Sequence, residues 1–195
     1  MRRSIAATKF KVAGGVTKSH CHLAQILEMI ERADLPDLVK QDASIVFRRL
    51  GETEAAIHNL PLEKVHFHEV GAVDSICDIV AACLAISLLG IDRIYSSPLN
   101  VGSGTVQTEH GLLPIPAPAT ARLLCGRPVY SRGPAAELTT PTGAALVSAL
   151  VTSFGPLPAM KITSSGYGAG DLDFSEHANV LRAIIGEGAP QADAA

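Results

Sequence analysis

Tryptophan is absent from these 195 residues, and aromatic residues make up only 4%. Nucleic-acid grooves rely on stacking platforms and a concentrated basic surface. Here the sixteen Lys and Arg residues are scattered and the formal net charge is −3, so a nucleic-acid role is excluded. Long apolar runs are also lacking. The longest, Ile79 to Leu89, is interrupted by Ser87 and falls short of the ~20 residues of a membrane span. Arg2 and Arg3 are not followed by the sustained apolar stretch of a secretory signal. Cysteine is sparse: Cys21, Cys77, Cys83 and Cys125 form no CxxC pair and follow no zinc-ligand spacing. This usage fits a reducing cytoplasm.

What is present is an apolar, compact composition, with 47% hydrophobic and 18% charged residues. The first nineteen residues lack periodicity and read as a poorly ordered leader. Residues 20–187 read as one module, divided into a helical pair over 20–60 and an α/β core over 61–187; residues 188–195 read as a frayed tail or linker. In the pair, Leu23, Ile26, Leu27 and Ile30 share one helical face. So do Leu38, Val39, Ile45, Val46, Leu50 and Ile57 after Pro36.

From Val65 the period shortens to two through Val70, which predicts a strand ending at Gly71. A helix over 73–89 follows, apolar on most sides and therefore expected to be buried on more than one. A strand over 91–97, a glycine-bearing hairpin over 99–113, a helix from Pro118 and a helix over 141–154 come next. Gly166 to Gly170 reads as a loop leading to a strand over 180–185. Helix and strand alternate, which favours α/β with a layered mixed sheet flanked by helices; the hairpin keeps α+β as the alternative.

Four segments could carry chemistry. In the first, His66 and His68 share one face of a strand, Glu69 follows, and Asp74 and Asp78 stack at i and i+4 on a helix. Imidazole nitrogens with carboxylate oxygens suit nickel, zinc, manganese or magnesium. A surface imidazole and an Asp74 helix cap would look the same in sequence. In the second, Thr139, Thr140, Pro141, Thr142 and Gly143 open a helix; its free N–H groups could hold a phosphate or carboxylate, or merely form a Thr cap.

The third segment joins Asn100 to Gly104 with Glu109 and His110, either a ligand loop or ordinary turn chemistry. The fourth, His20-Cys21-His22, could collect nickel or zinc, either as a function or adventitiously. His58 and His177 read as solvated, and Cys77 and Cys83 as small core residues.

Together these segments resemble the lactate racemase nickel-insertion family. The matching runs are VHFHEVGAVDSICDIV at 65–80, SSPLNVGSGTVQTEHGLLPIPAPAT at 96–120 and ELTTPTGAAL at 137–146. They continue with FGPLPAM at 154–160, GYGAGDLD at 166–173 and NVLRAIIGE at 179–187. The resemblance implies a cyclometallase, a chelatase-like lyase that inserts Ni²⁺ into a pyridinium mononucleotide bearing two thiocarboxylate groups. The product, the nickel-pincer cofactor of lactate racemase, holds nickel by two sulfurs and one ring carbon.

The resemblance further implies CTP with Mn²⁺ or Mg²⁺, and a C-terminal CTP-binding domain as partner; a homo-oligomer is compatible with it. On this basis His66, His68, Asp74 and Asp78 are the expected metal ligands, and His68, Glu69 and Asp74 the acid–base groups. Ser103, His110, Thr139, Thr142 and Gly143 are the expected ligand anchors. The family's opening strand with its SGISGDM loop and the C-terminal domain have no counterpart here, so the chain reads as an N-terminal module incomplete at both ends. A non-catalytic nickel-delivery module and an inactive fragment are the alternatives.

Overall fold

The computed structural model describes residues 3–13, 21–65, 67 and 73–188. The chain divides into two compact units, Val12–Phe154 and a second made of Met1–Lys11 with Gly155–Ala195. The fold is mixed α/β, opening on a helical pair, and among the described residues the strands form four small two-stranded sheets.

In the larger unit, α1 (Leu23–Arg32) and α2 (Asp37–His58) form that pair. The backbone N–H of His22 donates to Gln25 Oε1 at 2.9 Å, so the cap of α1 is closed by a residue three positions on. At the other end of α2, Asn59 adopts a left-handed conformation and donates its N–H to Ala55 O.

The buried face of α2 is Val39, Ala43, Val46, Phe47 and Leu50, each with no accessible surface. Leu38, Ile45 and Ile57, predicted to share that face, are exposed. The small Ala43 and the ring of Phe47 set the stripe one step round from the one the aliphatic residues suggest. Phe47 meets Phe67 edge-to-face with ring centroids 6.4 Å apart. Gly51 lies on the same helix, where a Cβ would come within 2.9 Å of Leu23 Cδ2, so the absent side chain lets α1 pack closely.

Helix α3 (Val73–Leu88) ends in a Schellman arrangement: Ile91 N–H bonds Ile86 O, Gly90 N–H bonds Ser87 O, and Gly90 takes φ +64°. Its burial is less than its composition predicts. Only Ile79 and Cys83 are buried, while Val73 and Leu88 are exposed. The helix packs on α2 and touches α5, and that accounts for one side of it.

The strands of this unit are short. β1 (Tyr95–Ser96) pairs in parallel with β6 (Ser153–Phe154), and β2 (Leu99–Asn100) with β5 (Val129–Tyr130). β3 (Thr105–Thr108) and β4 (Gly111–Pro114) make the predicted hairpin, beginning later than expected because Leu99–Asn100 pairs with β5. Helix α4 (Pro118–Leu123) starts on proline as predicted, and α5 (Pro141–Leu150) stops earlier than predicted because Ser153 enters a strand. The guanidiniums of Arg49 and Arg127 both donate to Ser148 O in the last turn of α5, and Arg127 also reaches Leu123 O and Cys125 O at the end of α4. These cations cap carbonyls where the helix dipole is negative.

In the smaller unit, β7 (Met160–Ala169) and β8 (Val180–Gly188) form a long antiparallel ribbon. Gly166 to Ala169, predicted as loop, is therefore strand. Alternating glycines hide the period-two pattern, yet the backbone pairing is complete from Ser164↔Ile185 to Ala169↔Val180. The described part of the expected leader is anchored here. Thr8 N–H donates to Tyr167 O, Ala169 N–H donates to Thr8 O, and Lys9 pairs with Asp171.

Candidate functional site

Asp74 and Asp78 both lie on α3, four residues apart and exposed. Asp74 falls in the first turn, not at the cap, where its carboxylate accepts the Ser75 N–H at 2.8 Å and faces the positive helix end. His66, His68 and Glu69, the other members of the predicted metal and acid–base set, lie outside the described residues, as does His20. Among the described residues no three His, Cys, Asp or Glu side chains come together as a metal-holding group.

The predicted ligand anchors separate into two groups. Ser103 and Thr139 belong to a framework around Asn100. The Thr139 hydroxyl donates to Asn100 O at 2.8 Å, and Ser103 N–H donates to Ala136 O at 3.3 Å. The Asn100 side chain ties the two segments together, accepting from Gly102 N and Arg132 N and donating to Arg132 O. Gly102, at φ +81°, lies where a Cβ would be 1.9 Å from Ala136 O, so this glycine is fixed by backbone contact.

His110, Thr142 and Gly143 fall elsewhere. Thr140 caps α5, its hydroxyl accepting the Gly143 N–H at 3.3 Å, with Pro141 at the first helical position. Pro141 and His110 line a pocket of about 240 Å³.

This pocket brings together residues that sequence reasoning left apart. Glu54 and His58 stand at i and i+4 near the end of α2, with Glu54 Oε2 3.3 Å from His58 Nε2. The imidazole of His110, at the β3–β4 turn, lies 5.0 Å from that of His58 between ring centroids, tilted by 45°. Thr108 Oγ1 holds the turn by accepting the His110 N–H at 3.1 Å. The remaining wall is mainly apolar and includes Ile57, Phe67 and Leu113. His58 is thus half-buried between Glu54 and the exposed His110, not the solvated residue predicted. The available signal was Glu-x-x-x-His at helical spacing. An oriented imidazole pair beside a carboxylate, set in an apolar wall, can receive and hold a proton.

Comparison with known families decides the assignment. A family model described as nickel insertion protein matches residues 1–195. The chain belongs to the nickel insertion protein family. A Geobacillus kaustophilus relative, named pyridinium-3,5-bisthiocarboxylic acid mononucleotide nickel insertion protein, is 48% identical over 197 residues, covering 96% of this chain and 48% of the relative. A Desulfitobacterium hafniense protein of the same name is 46% identical over 187 residues, covering 96% of this chain and 46% of the relative. A Geotalea daltonii protein named for nickel insertion is 50% identical over 186 residues, covering 95% of this chain and 48% of that protein. The chain therefore spans about half the length of the curated relatives it matches. No solved structure matches it. No helix among the described residues is long and apolar enough to cross a membrane.

Proposed function

We propose that this chain carries the nickel- and ligand-handling part of a cyclometallase that inserts Ni²⁺ into pyridinium-3,5-bisthiocarboxylic acid mononucleotide, yielding the nickel-pincer cofactor of lactate racemase. The observation that carries this is the family match over residues 1–195, supported by the names of the Geobacillus and Desulfitobacterium relatives. The site belongs to the lyase class and works in the cytoplasm. CTP, with Mn²⁺ or Mg²⁺, is assigned to a C-terminal domain of the full-length family, which is the partner of this portion. Nickel is the cargo. Its assigned ligands are His66, His68, Asp74 and Asp78, of which the described Asp74 and Asp78 offer two exposed carboxylates on α3. Glu69 joins His68 and Asp74 in the assigned acid–base set, and Ser103, His110, Thr139, Thr142 and Gly143 are the assigned ligand anchors.

The test mixes this chain with the portion of the Geobacillus relative that it does not match, adding NiCl₂, CTP, MgCl₂ and the bisthiocarboxylate mononucleotide. Absorbance and mass spectrometry detect the nickel–carbon product. A folded pair that forms none refutes the assignment. Asp74→Asn and His68→Ala should each abolish product; unchanged rates would place the metal elsewhere.

A further inference from the structure

We infer that the Glu54–His58–His110 pocket takes the pyridinium ring of the substrate, and that His58 accepts the proton lost from the ring carbon when nickel bonds to it. This rests on the nickel-insertion function proposed above, and it assigns chemistry to two residues, Glu54 and His58, outside the predicted site.

The substrate's structure sets the requirement. Thiocarboxylates at ring positions 3 and 5 flank position 4, and their soft sulfurs suit nickel. A metal held by both sulfurs lies against that ring carbon. For a nickel–carbon bond to form, the carbon–hydrogen bond must break, and its electron pair becomes the new bond. Nickel stays divalent throughout, so no oxidant or reductant enters. One proton is left over, and it needs an acceptor beside a flat aromatic ring.

The pocket meets both requirements. At about 240 Å³ it lies below the ~300–1,000 Å³ of sites that enclose whole ligands, which suits a ring whose ribose phosphate stays outside. Ile57, Phe67 and Leu113 supply apolar surface for the ring faces. The His58 imidazole takes the proton, and Glu54, 3.3 Å from Nε2, becomes the counter-ion of the imidazolium that forms. His110, at 5.0 Å, fixes the tilt of the acceptor ring and closes the wall. Within this pocket Glu54 is a positioning residue and His58 the catalytic one.

Two measurements separate ring binding from proton transfer. In calorimetric titrations with the bisthiocarboxylate mononucleotide, Ile57→Trp, a change at an exposed position that fills the pocket, should weaken binding at least ~10-fold, a loss of about 1.4 kcal/mol. His58→Gln should bind within a few-fold of wild type. Unaltered affinity in Ile57→Trp overturns the ring assignment. In the two-part nickel-insertion assay, His58→Gln should slow product formation by ~10²-fold or more. Deuterium at ring position 4 should slow that variant more than wild type, and free imidazole should partly restore His58→Gly. Glu54→Gln should show the raised isotope effect with a smaller rate loss. Wild-type rates and isotope effects in both His58 variants overturn the base assignment while leaving nickel insertion intact. Absence of product with wild type refutes nickel insertion, and the base assignment with it.

Discussion

Gly102→Ala tests the framework that connects the glycine-bearing segment to the start of α5. Gly102 takes φ +81°, and a Cβ there would come within 1.9 Å of Ala136 O and 3.1 Å of Leu138 N. Both are backbone atoms, so no side chain can rotate away. The left-handed conformation alone costs an L-residue about 1–2 kcal/mol. Relieving the clash requires residues 136–138 to move off, which breaks Ser103 N–H to Ala136 O and Leu138 N–H to Val101 O. Those two bonds are worth ~1 kcal/mol each. The total is about 3–4 kcal/mol, well above an average substitution.

Gly126 provides the control. It has φ +76° with nothing within 4 Å of an added Cβ, so Gly126→Ala should cost only the conformational term of about 1–2 kcal/mol. The five α-helices among the described residues lie in the Val12–Phe154 unit along with both glycines, so helical circular dichroism in urea reports this unit. The Tm of Gly102→Ala should fall by about 6–16 °C at ~2–4 °C per kcal/mol. If the two variants prove equally stable, residues 136–138 do not lie against Gly102 and the Asn100 framework is wrong.

Burial, with the Asp42 carboxylate adding to it, pushes the Cys83 thiol up to about 11. A raised thiol contributes stability that is fully present below the ordinary value of 9.0 and is lost as pH climbs through about 11, so wild type should lose urea stability across that window more steeply than Cys83→Ala. At neutral pH iodoacetamide should modify the exposed Cys125 and spare Cys83, read by peptide mass; equal labelling would refute the burial. Arg127→Ala removes donors from Ser148, Leu123 and Cys125 carbonyls and should cost about 2 kcal/mol in urea melts, with Arg127→Lys restoring less than half because an ammonium cannot reach all three. Thr140→Ala should cost ~1 kcal/mol and Thr140→Ser nearly nothing, if the hydroxyl caps Gly143 N–H.

The legible parts of the fold are those where one segment carries its own signal. Helices α1, α2 and α3 announce themselves by apolar spacing over two or more turns, and α4 by Pro118 at its start. Strands β5 and β6 do not, and β1 and β2 do so only as parts of longer predicted strands, because two residues pairing in parallel with a partner 30 to 58 positions away leave no local period. Glycines at 166 and 168 remove the alternating side chains that would mark β7. The buried stripe of α2 was displaced for a related reason. Ala43 and Phe47 carry it, and a pattern built on branched aliphatics selects Ile45 and Ile57 instead.

The site divides along the same line. Asp74 and Asp78 share a helix face because four residues of one helix always do so, and sequence suffices for that. Glu54 and His58 have the same spacing, yet their chemistry stays silent until His110 arrives from a turn 52 positions later. Ring against ring at 5.0 Å is a property of how α2 meets the β3–β4 hairpin, not of either segment. Thr139 and Ser103 likewise meet only in the fold, where the Thr139 hydroxyl donates to Asn100 O and Ser103 N–H to Ala136 O, a framework neither segment announces alone. A polar group's availability depends on which backbone carbonyls pass beside it. The residues to test first are therefore those whose side chains the fold brings together across long separations, with His58 foremost.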